Sequence, residues 1–246
     1  SYTAVAEYER CPYRFYLQRV LGMPDVAGVG DGSAAAARGV AVHALLETID
    51  FAAPRAVTRE AVAAAAAGAG VELGRDDDLA AVAALVDAFA LSPLCARLAA
   101  SGDVRRELPF AFAHDGELVR GFFDVAGVER DGTLLIVDYK SDRLDETADL
   151  AAQLERDYAI QRIVYALAGL ASGVAPAVEV AHCFLARPEV PLGVRYARED
   201  RVALEAQLTA RLEPLRAGRY EVSPAPGPLR CGTCPGRARL CSHEQP

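Results

Sequence analysis

Two aspartates and one lysine carry the clearest chemistry in this 246-residue sequence. Asp124 closes the apolar stretch Gly121-Phe122-Phe123-Asp124, and Asp138 and Lys140 close the next, Ile136-Val137-Asp138-Tyr139-Lys140. Two carboxylates beside an ammonium suit a divalent cation held by oxygen ligands, Mg2+ or Mn2+, and such a set is arranged for phosphoryl chemistry. Lys140 would hold or activate the attacking water and offset charge at phosphorus. Taken alone, Asp-x-Lys is more often a solvated ion pair at a strand end. Composition sharpens the question: of 26 basic side chains, 25 are arginine and Lys140 is the single lysine. A compact ammonium whose pKa moves when buried does what a bulky, permanently charged guanidinium cannot.

These residues need a hairpin to position them. Strands are expected over 104–113, 118–129 and 133–140, separated by the turn pairs Asp115-Gly116 and Asp131-Gly132. Asp138 and Lys140 share a strand face because they are two apart. If Asp131 and Gly132 alone form the second turn, Asp124 falls opposite Tyr139 and away from Asp138. A three-residue loop of Arg130, Asp131 and Gly132, with Gly132 left-handed, instead puts Asp124 across from Asp138. The second register is preferred, because opposed carboxylates are tolerated when a cation sits between them.

Around the hairpin, helical text is expected over 3–10 (N-capped by Ser1 or Thr3), 12–21, 35–50, 79–99, 150–171 and 198–217, with weakly specified helix in the alanine-rich 51–75. A loop is expected over 22–32 and an apolar strand over 178–186. Helices flanking a three- or four-stranded mixed sheet make an α/β core, with an accessory lobe built from the two ends of the chain. His43 could add a neutral imidazole to the metal, with Glu47 one turn later to support it. Gln161 and Tyr165, four apart, share a helix face.

Length and a composition of 52% hydrophobic and 24% charged residues exclude disordered and collagen-like classes. The longest apolar runs are too short to span a bilayer and no secretory leader opens the text, so a cytoplasmic protein without a membrane partner is expected. A net charge of -8 argues against a generally basic DNA-coating protein. Between Arg211 and Cys241, however, six arginines face two glutamates, a local +4. Arg14, Arg230, Arg237 and Arg239 are the candidates for phosphate contacts there.

Of six cysteines, Cys231, Cys234 and Cys241 form C-x2-C-x6-C, and Cys11 opens Cys11-Pro12-Tyr13 near the other end. Such a set can chelate one ion or cluster, whereas Cys95 and Cys183 lie in apolar text and are expected as core thiols. Disulfides do not suit a reducing compartment.

The ordered set Gly39-x-x-x-His43, Gly121-x-x-Asp124, Asp138-Tyr139-Lys140-Ser141 and Gln161-x-x-x-Tyr165 resembles the RecB-type nucleases of the PD-(D/E)XK superfamily. That resemblance implies a restriction-endonuclease-like core, metal ligation by His43, Asp124, Asp138 and the Tyr139 carbonyl, a catalytic Lys140, and Gln161 and Tyr165 beside the active site. Glu107, in Arg106-Glu107-Leu108, matches an acidic strand position common in the family. The cysteine pattern is similar to the [4Fe-4S] staple of AddB-like nucleases and of CRISPR-adaptation exonucleases; its last spacing is slightly longer than theirs, which keeps zinc as an alternative. The resemblance implies a single nuclease domain over 1–246, with a core at 22–222 and an iron-sulfur lobe of 1–21 plus 223–246. It further implies exonucleolytic processing of DNA ends, with single-stranded ends as substrate. The setting implied is the C-terminal module of a helicase-nuclease acting with a helicase domain or partner. A freestanding single-strand exonuclease and an inactive DNA-binding or docking module are the alternatives.

Overall fold

The computed structural model describes residues 2–26, 32–141, 144, 147, 149–224, 227, 231–237 and 239–243. Ser1 and Arg230 therefore lie outside the described residues. Helix α1 (Tyr2–Arg10) leads into α2 (Pro12–Phe15), whose last turn widens into a π-helical turn over Tyr16–Val20. Thr3 lies inside α1 and does not cap it. Four helices follow: α3 (Gly32–Leu46), α4 (Arg59–Gly68), α5 (Asp76–Ala90) and α6 (Pro93–Ala100). Next come strands β1 (Gly102–His114), β2 (Glu117–Val128) and β3 (Leu134–Lys140), then α7 (Leu150–Asp157) and α8 (Ala159–Ala171). Strands β4 (Ala177–Phe184) and β5 (Leu192–Ala197) and helix α9 (Arg201–Arg216) complete the fold.

Local chemistry explains where the expected elements divide. The apolar text over 79–99 is two helices, because Ser92 accepts from the Cys95 amide as N-cap and Pro93 fits a first helical position. The segment 150–171 breaks at Tyr158, whose φ of -131° is not helical. Helix α3 stops at Leu46, four residues short of expectation, and only Arg59–Gly68 of the alanine-rich stretch is helical, started by the Thr58 cap.

The sheet has five strands in the order β1-β2-β3-β4-β5, one or two more than expected. Only β3 and β4 pair in parallel, which makes the sheet mixed, with α7 and α8 forming the crossover. The unforeseen strand is β5, which is largely exposed and so lacks the alternating apolar pattern of a buried strand. Helices α3 to α6 cover one face, burying Val42, Val86, Phe89 and Leu98 against Val125, Leu135, Val137 and Tyr139. Helices α8 and α9 cover the other, packing Ile163, Val164, Leu167, Leu204 and Leu208 on Ile136, Val178 and Val180. Among the described residues, no single helix is long and apolar enough to cross a membrane.

Two arginines tie the layers together. Arg38 of α3 pairs with Asp78 of α5 at 2.6 Å, both side chains being about nine-tenths buried. Arg97 of α6 reaches the sheet and binds Glu129 and Glu179 in forked pairs of 2.7–2.9 Å. These two acids hold its guanidinium above the ordinary arginine value. Arg97→Ala leaves two facing carboxylates without their shared cation. Because the guanidinium is 32% exposed, the expected loss is about 2 kcal/mol, less than for a fully buried pair. Urea unfolding of the two proteins measures it.

Candidate active site

Turn chemistry at the β2–β3 hairpin sets the register. The Glu129 amide donates to the Thr133 carbonyl at 2.9 Å, and Gly132 has φ +84°. A three-residue loop results, and the ladder runs Val128↔Leu134 through Val125↔Val137. One step further places Asp124 opposite Asp138, as the preferred register required. There the strands separate: the Tyr139 amide donates to Asp124 Oδ2 at 2.9 Å in place of a main-chain carbonyl. On the other side, the β1–β2 register (Arg106↔Val125, Leu108↔Phe123) brings Glu107 opposite Asp124. Three acids thus stand level on adjacent strands.

At Glu107 the hairpin turns over. Val104 and Val125 pack with the α3–α6 layer, whereas Leu108, Phe110, Phe112 and Phe123, in phase with them along the strands, pack with α8 and α9. Glu107 has φ +44°, a left-handed conformation that is costly for a side chain bearing a Cβ. Its carboxyl is raised by burial and by the charge of Glu47. Glu47 lies just past α3, and its charge also acts on His43.

Asp124, Asp138 and Lys140 line a cavity of about 730 Å3 together with His43, Gln161 and Tyr165. Lys140 Nζ is 2.7 Å from Asp138 Oδ2, donates to Gln161 Oε1 at 2.7 Å, and stands 4.0 Å over the Tyr158 ring. The Gln161 amide donates to Asp138 Oδ1 and, at 3.0 Å, to Tyr165 Oη. Tyr165 in turn donates to the Phe122 carbonyl at 2.9 Å. His43 Nδ1 is 3.7 Å from Asp124 Oδ2. Burial lowers the imidazole below its ordinary value, against Asp138, which favours its charged form.

The opposed acids behave differently. Burial and then the charge of Asp138 push the Asp124 carboxyl well above the usual range. Burial would also raise Asp138, but Lys140, His182 and the hydrogen bond from Lys140 hold it below. Without a cation, Asp124 holds a proton more tightly than Asp138 does.

The two motif glycines answer to space. A Cβ on Gly39 would stand 3.1 Å from Ser141 Oγ, and one on Gly121 would stand 2.6 Å from the Phe110 ring. Phe110 lies across Gly121, stacked on Phe123 and edge-on to Tyr165.

Sequence reasoning missed His182. It sits opposite Asp138 in the parallel β3–β4 register, fully buried, and neither ring nitrogen has a hydrogen-bond partner among the described residues. A lone His within Ala181-His182-Cys183-Phe184 gives no signal until that pairing is known. Burial pushes it down to about 4. Between that value and about 6.5 the unfolded chain binds a proton that the folded chain refuses, so stability falls as pH falls through this window. The full penalty is about 3 kcal/mol, and His182→Leu should flatten the decline in urea titrations run from pH 7 to 4.5.

At the chain ends, Cys11 N-caps α2, accepting from the Arg14 amide. Burial raises the Cys234 thiol, and the charges of Cys11 and Cys231 act on it in the same direction. Tyr13 donates to the Leu240 carbonyl at 2.8 Å, and the Val26 amide to the Thr233 carbonyl at 3.0 Å, so the tail packs on the N-terminal helices. Cys95 and Cys183 are buried core thiols, both raised by burial. The arginine-rich segment is less free than its charge count suggests. Arg211 pairs with Glu9, Arg216 with Asp115 and Glu117, Arg219 with Glu213, and Arg14 with Asp25. Arg237 donates to the Gly232 carbonyl, and Arg239 is exposed.

Residues 1–241 match the family model of the PD-(D/E)XK nuclease superfamily. The chain belongs to the PD-(D/E)XK nuclease superfamily. PD-(D/E)XK nucleases are metal-dependent and act on DNA, and the mixed five-stranded sheet flanked by helices is consistent with their restriction-endonuclease-like fold. Among solved structures, the crystal structure of SSO0001 is similar at 11% identity over 76% of each chain, with a TM-score of 0.34. No curated protein matches the chain.

The donor set of this PD-(D/E)XK chain fits a divalent cation. His43, Glu107 and Asp124 offer ligand atoms all within 4.8 Å of one another. A positive charge there would also offset the burial and the repulsion from Asp138 that raise the Asp124 carboxyl. Glu107, which the sequence matched to an acidic strand position without a role, belongs to this trio, while the Asp138 carboxylate contacts Lys140 and Gln161.

Proposed function

We propose that this chain is a metal-dependent DNA exonuclease and the C-terminal nuclease module of a helicase-nuclease that processes double-strand-break ends. The observation that carries the catalytic reading is the Lys140 ammonium, the chain's single lysine, fixed by Asp138, Gln161 and the Tyr158 ring at the wall of an acidic cavity. His43, Glu107 and Asp124, with Asp138 and the Tyr139 carbonyl completing the set, would hold Mg2+ or Mn2+, which supplies Lewis acidity at the scissile phosphate. Lys140 orients the attacking water and offsets charge on the phosphate oxygens. Gln161 and Tyr165 keep Asp138 and Lys140 in register. We take 1–246 as one nuclease domain with a core at 22–222. The lobe of 1–21 and 223–246 would carry a [4Fe-4S] cluster on Cys11, Cys231, Cys234 and Cys241; the packing of the tail on α2 supports this reading.

End-labelled single- and double-stranded DNA, incubated with and without Mn2+, tests the activity. The expected result is metal-dependent release of short products from the ends. Internal nicking of circular DNA would sink the exonuclease reading. Anaerobically purified protein should be brown with broad visible absorption, and colourless protein with one equivalent of zinc would replace the cluster by zinc.

A further inference from the structure

We propose that the outward face of the β1–β2 hairpin is a docking strip for unpaired DNA, with the Phe122 ring stacking on a base and Arg120 holding the adjoining phosphate. This rests on the nuclease reading and narrows its substrate to an end whose bases are free. Cross-strand pairs Pro109↔Phe122, Ala111↔Arg120 and Ala113↔Leu118 place six residues on one pleat face. All six are exposed, Phe122 at 56% and Leu118 at 65%. The reverse face is already satisfied, with Phe110, Phe112 and Phe123 packed into the α8–α9 layer. The exposed ring is therefore not a core residue lacking a core.

Position connects the strip to the chemistry. Asp124 follows Phe122 by two residues on the same strand, a step of roughly 7 Å. Pro109, Ala111, Arg120 and Phe122 form part of the wall of the active-site cavity. The Phe122 carbonyl accepts from Tyr165, which also contacts Asp138, so the ring is carried on backbone tied to the catalytic acids.

Charge and shape select the occupant. Among the described residues the Arg120 guanidinium has no ion pair or side-chain hydrogen bond, unlike those of Arg97, Arg162 and Arg216. In a chain of net charge -8, an uncommitted cation beside an exposed aromatic ring is a local match for a polyanion with π faces. The small side chain of Ala111, diagonal to Phe122 across the ladder, leaves the ring accessible. In a duplex the base faces are stacked on one another, so the ring finds a partner only where a base is unpaired.

Fluorescence anisotropy with a labelled thymidine homopolymer in EDTA, which halts cleavage, tests the strip on the full chain. Phe122→Ala should weaken binding about 5- to 100-fold, and Phe122→Trp should retain it. Arg120→Ala should weaken binding and flatten its salt dependence by about one phosphate contact. Blunt duplex binding should change less than about twofold in each variant. An oligonucleotide with an abasic site at the stacked position should lose affinity for the wild type but not lose further for Phe122→Ala, a coupling that a structural role would not produce. Melting temperatures should stay level, since both side chains are exposed. Wild-type affinity in Phe122→Ala, with Mn2+-dependent cleavage intact, overturns the strip and leaves the nuclease reading standing. A wild-type dimer that Phe122→Ala dissolves overturns it in favour of a second copy on this face. A wild type that neither binds nor cleaves DNA removes both.

Discussion

Replacing Lys140 by Ala is expected to lower DNA cleavage about 10²- to 10⁴-fold, the range for losing a positioned proton-transfer group or an electrostatic donor. Lys140→Arg should not restore it. A guanidinium keeps the charge but cannot occupy the compact position between Asp138, Gln161 and the Tyr158 ring. The comparison matters in a chain that uses arginine at every other basic position. Single-turnover cleavage of labelled DNA at saturating Mn2+ separates loss of chemistry from loss of binding. Because Lys140→Ala strips the buried Asp138 of its cation, thermal melting of both variants shows whether the fold is kept, and Lys140→Arg, which keeps the charge, guards against confusion with unfolding. Cleavage by Lys140→Ala at the wild-type rate would remove the catalytic assignment.

Asp124→Asn should abolish metal-dependent activity while making the metal-free protein more stable. The wild-type carboxyl is buried against Asp138 and raised well above its ordinary value, so folding resists its ionisation. As pH rises above the usual carboxylate range, the unfolded chain releases this proton before the folded chain does, and metal-free stability falls. Asparagine removes the repulsion yet can still accept from the Tyr139 amide through its carbonyl oxygen. A gain of about 1–3 kcal/mol at pH 8 in EDTA is expected. Mn2+ should raise the melting temperature of the wild type, more so at pH 8 than at pH 5.5, and leave Asp124→Asn nearly unmoved. Equal stabilisation of both proteins by Mn2+ would place the metal elsewhere.

The strand pair that carries Asp124, Asp138 and Lys140 was legible in outline because its information is local. The Asp131-Gly132 turn signal left two hairpin registers open, and in each of them a strand period of two determines which side chains share a face. Pro93 and the Ser92 cap were equally local, yet the apolar run across 79–99 masked them, since periodicity marks burial and not continuity. Tyr158 showed no breaking signal at all: its backbone departs from helix while its ring supports Lys140 and packs near His182. The tail arginines illustrate the opposite error. A charge count along the chain cannot know that Glu9, Asp115 and Glu117 arrive from distant elements to neutralise them.

The sequence by itself determined the mixed α/β class and placed the acids and the lysine at the ends of adjacent strands, because both follow from short-range rules of period and turn; between the two registers the turn allowed, the Glu129–Thr133 closure of the folded hairpin decided. Tertiary structure alone decided that Glu107 stands level with them, at the left-handed point where the hairpin changes cores. It also decided that His182 lies behind Asp138 through a parallel pairing. These depend on which strands become neighbours and how the sheet coils, and such long-range choices are made by the packing of two helical layers, not by any residue's immediate neighbours. The single lysine could be noticed from composition; the three contacts that immobilise it exist only once β3, α8 and the Tyr158 break have come together.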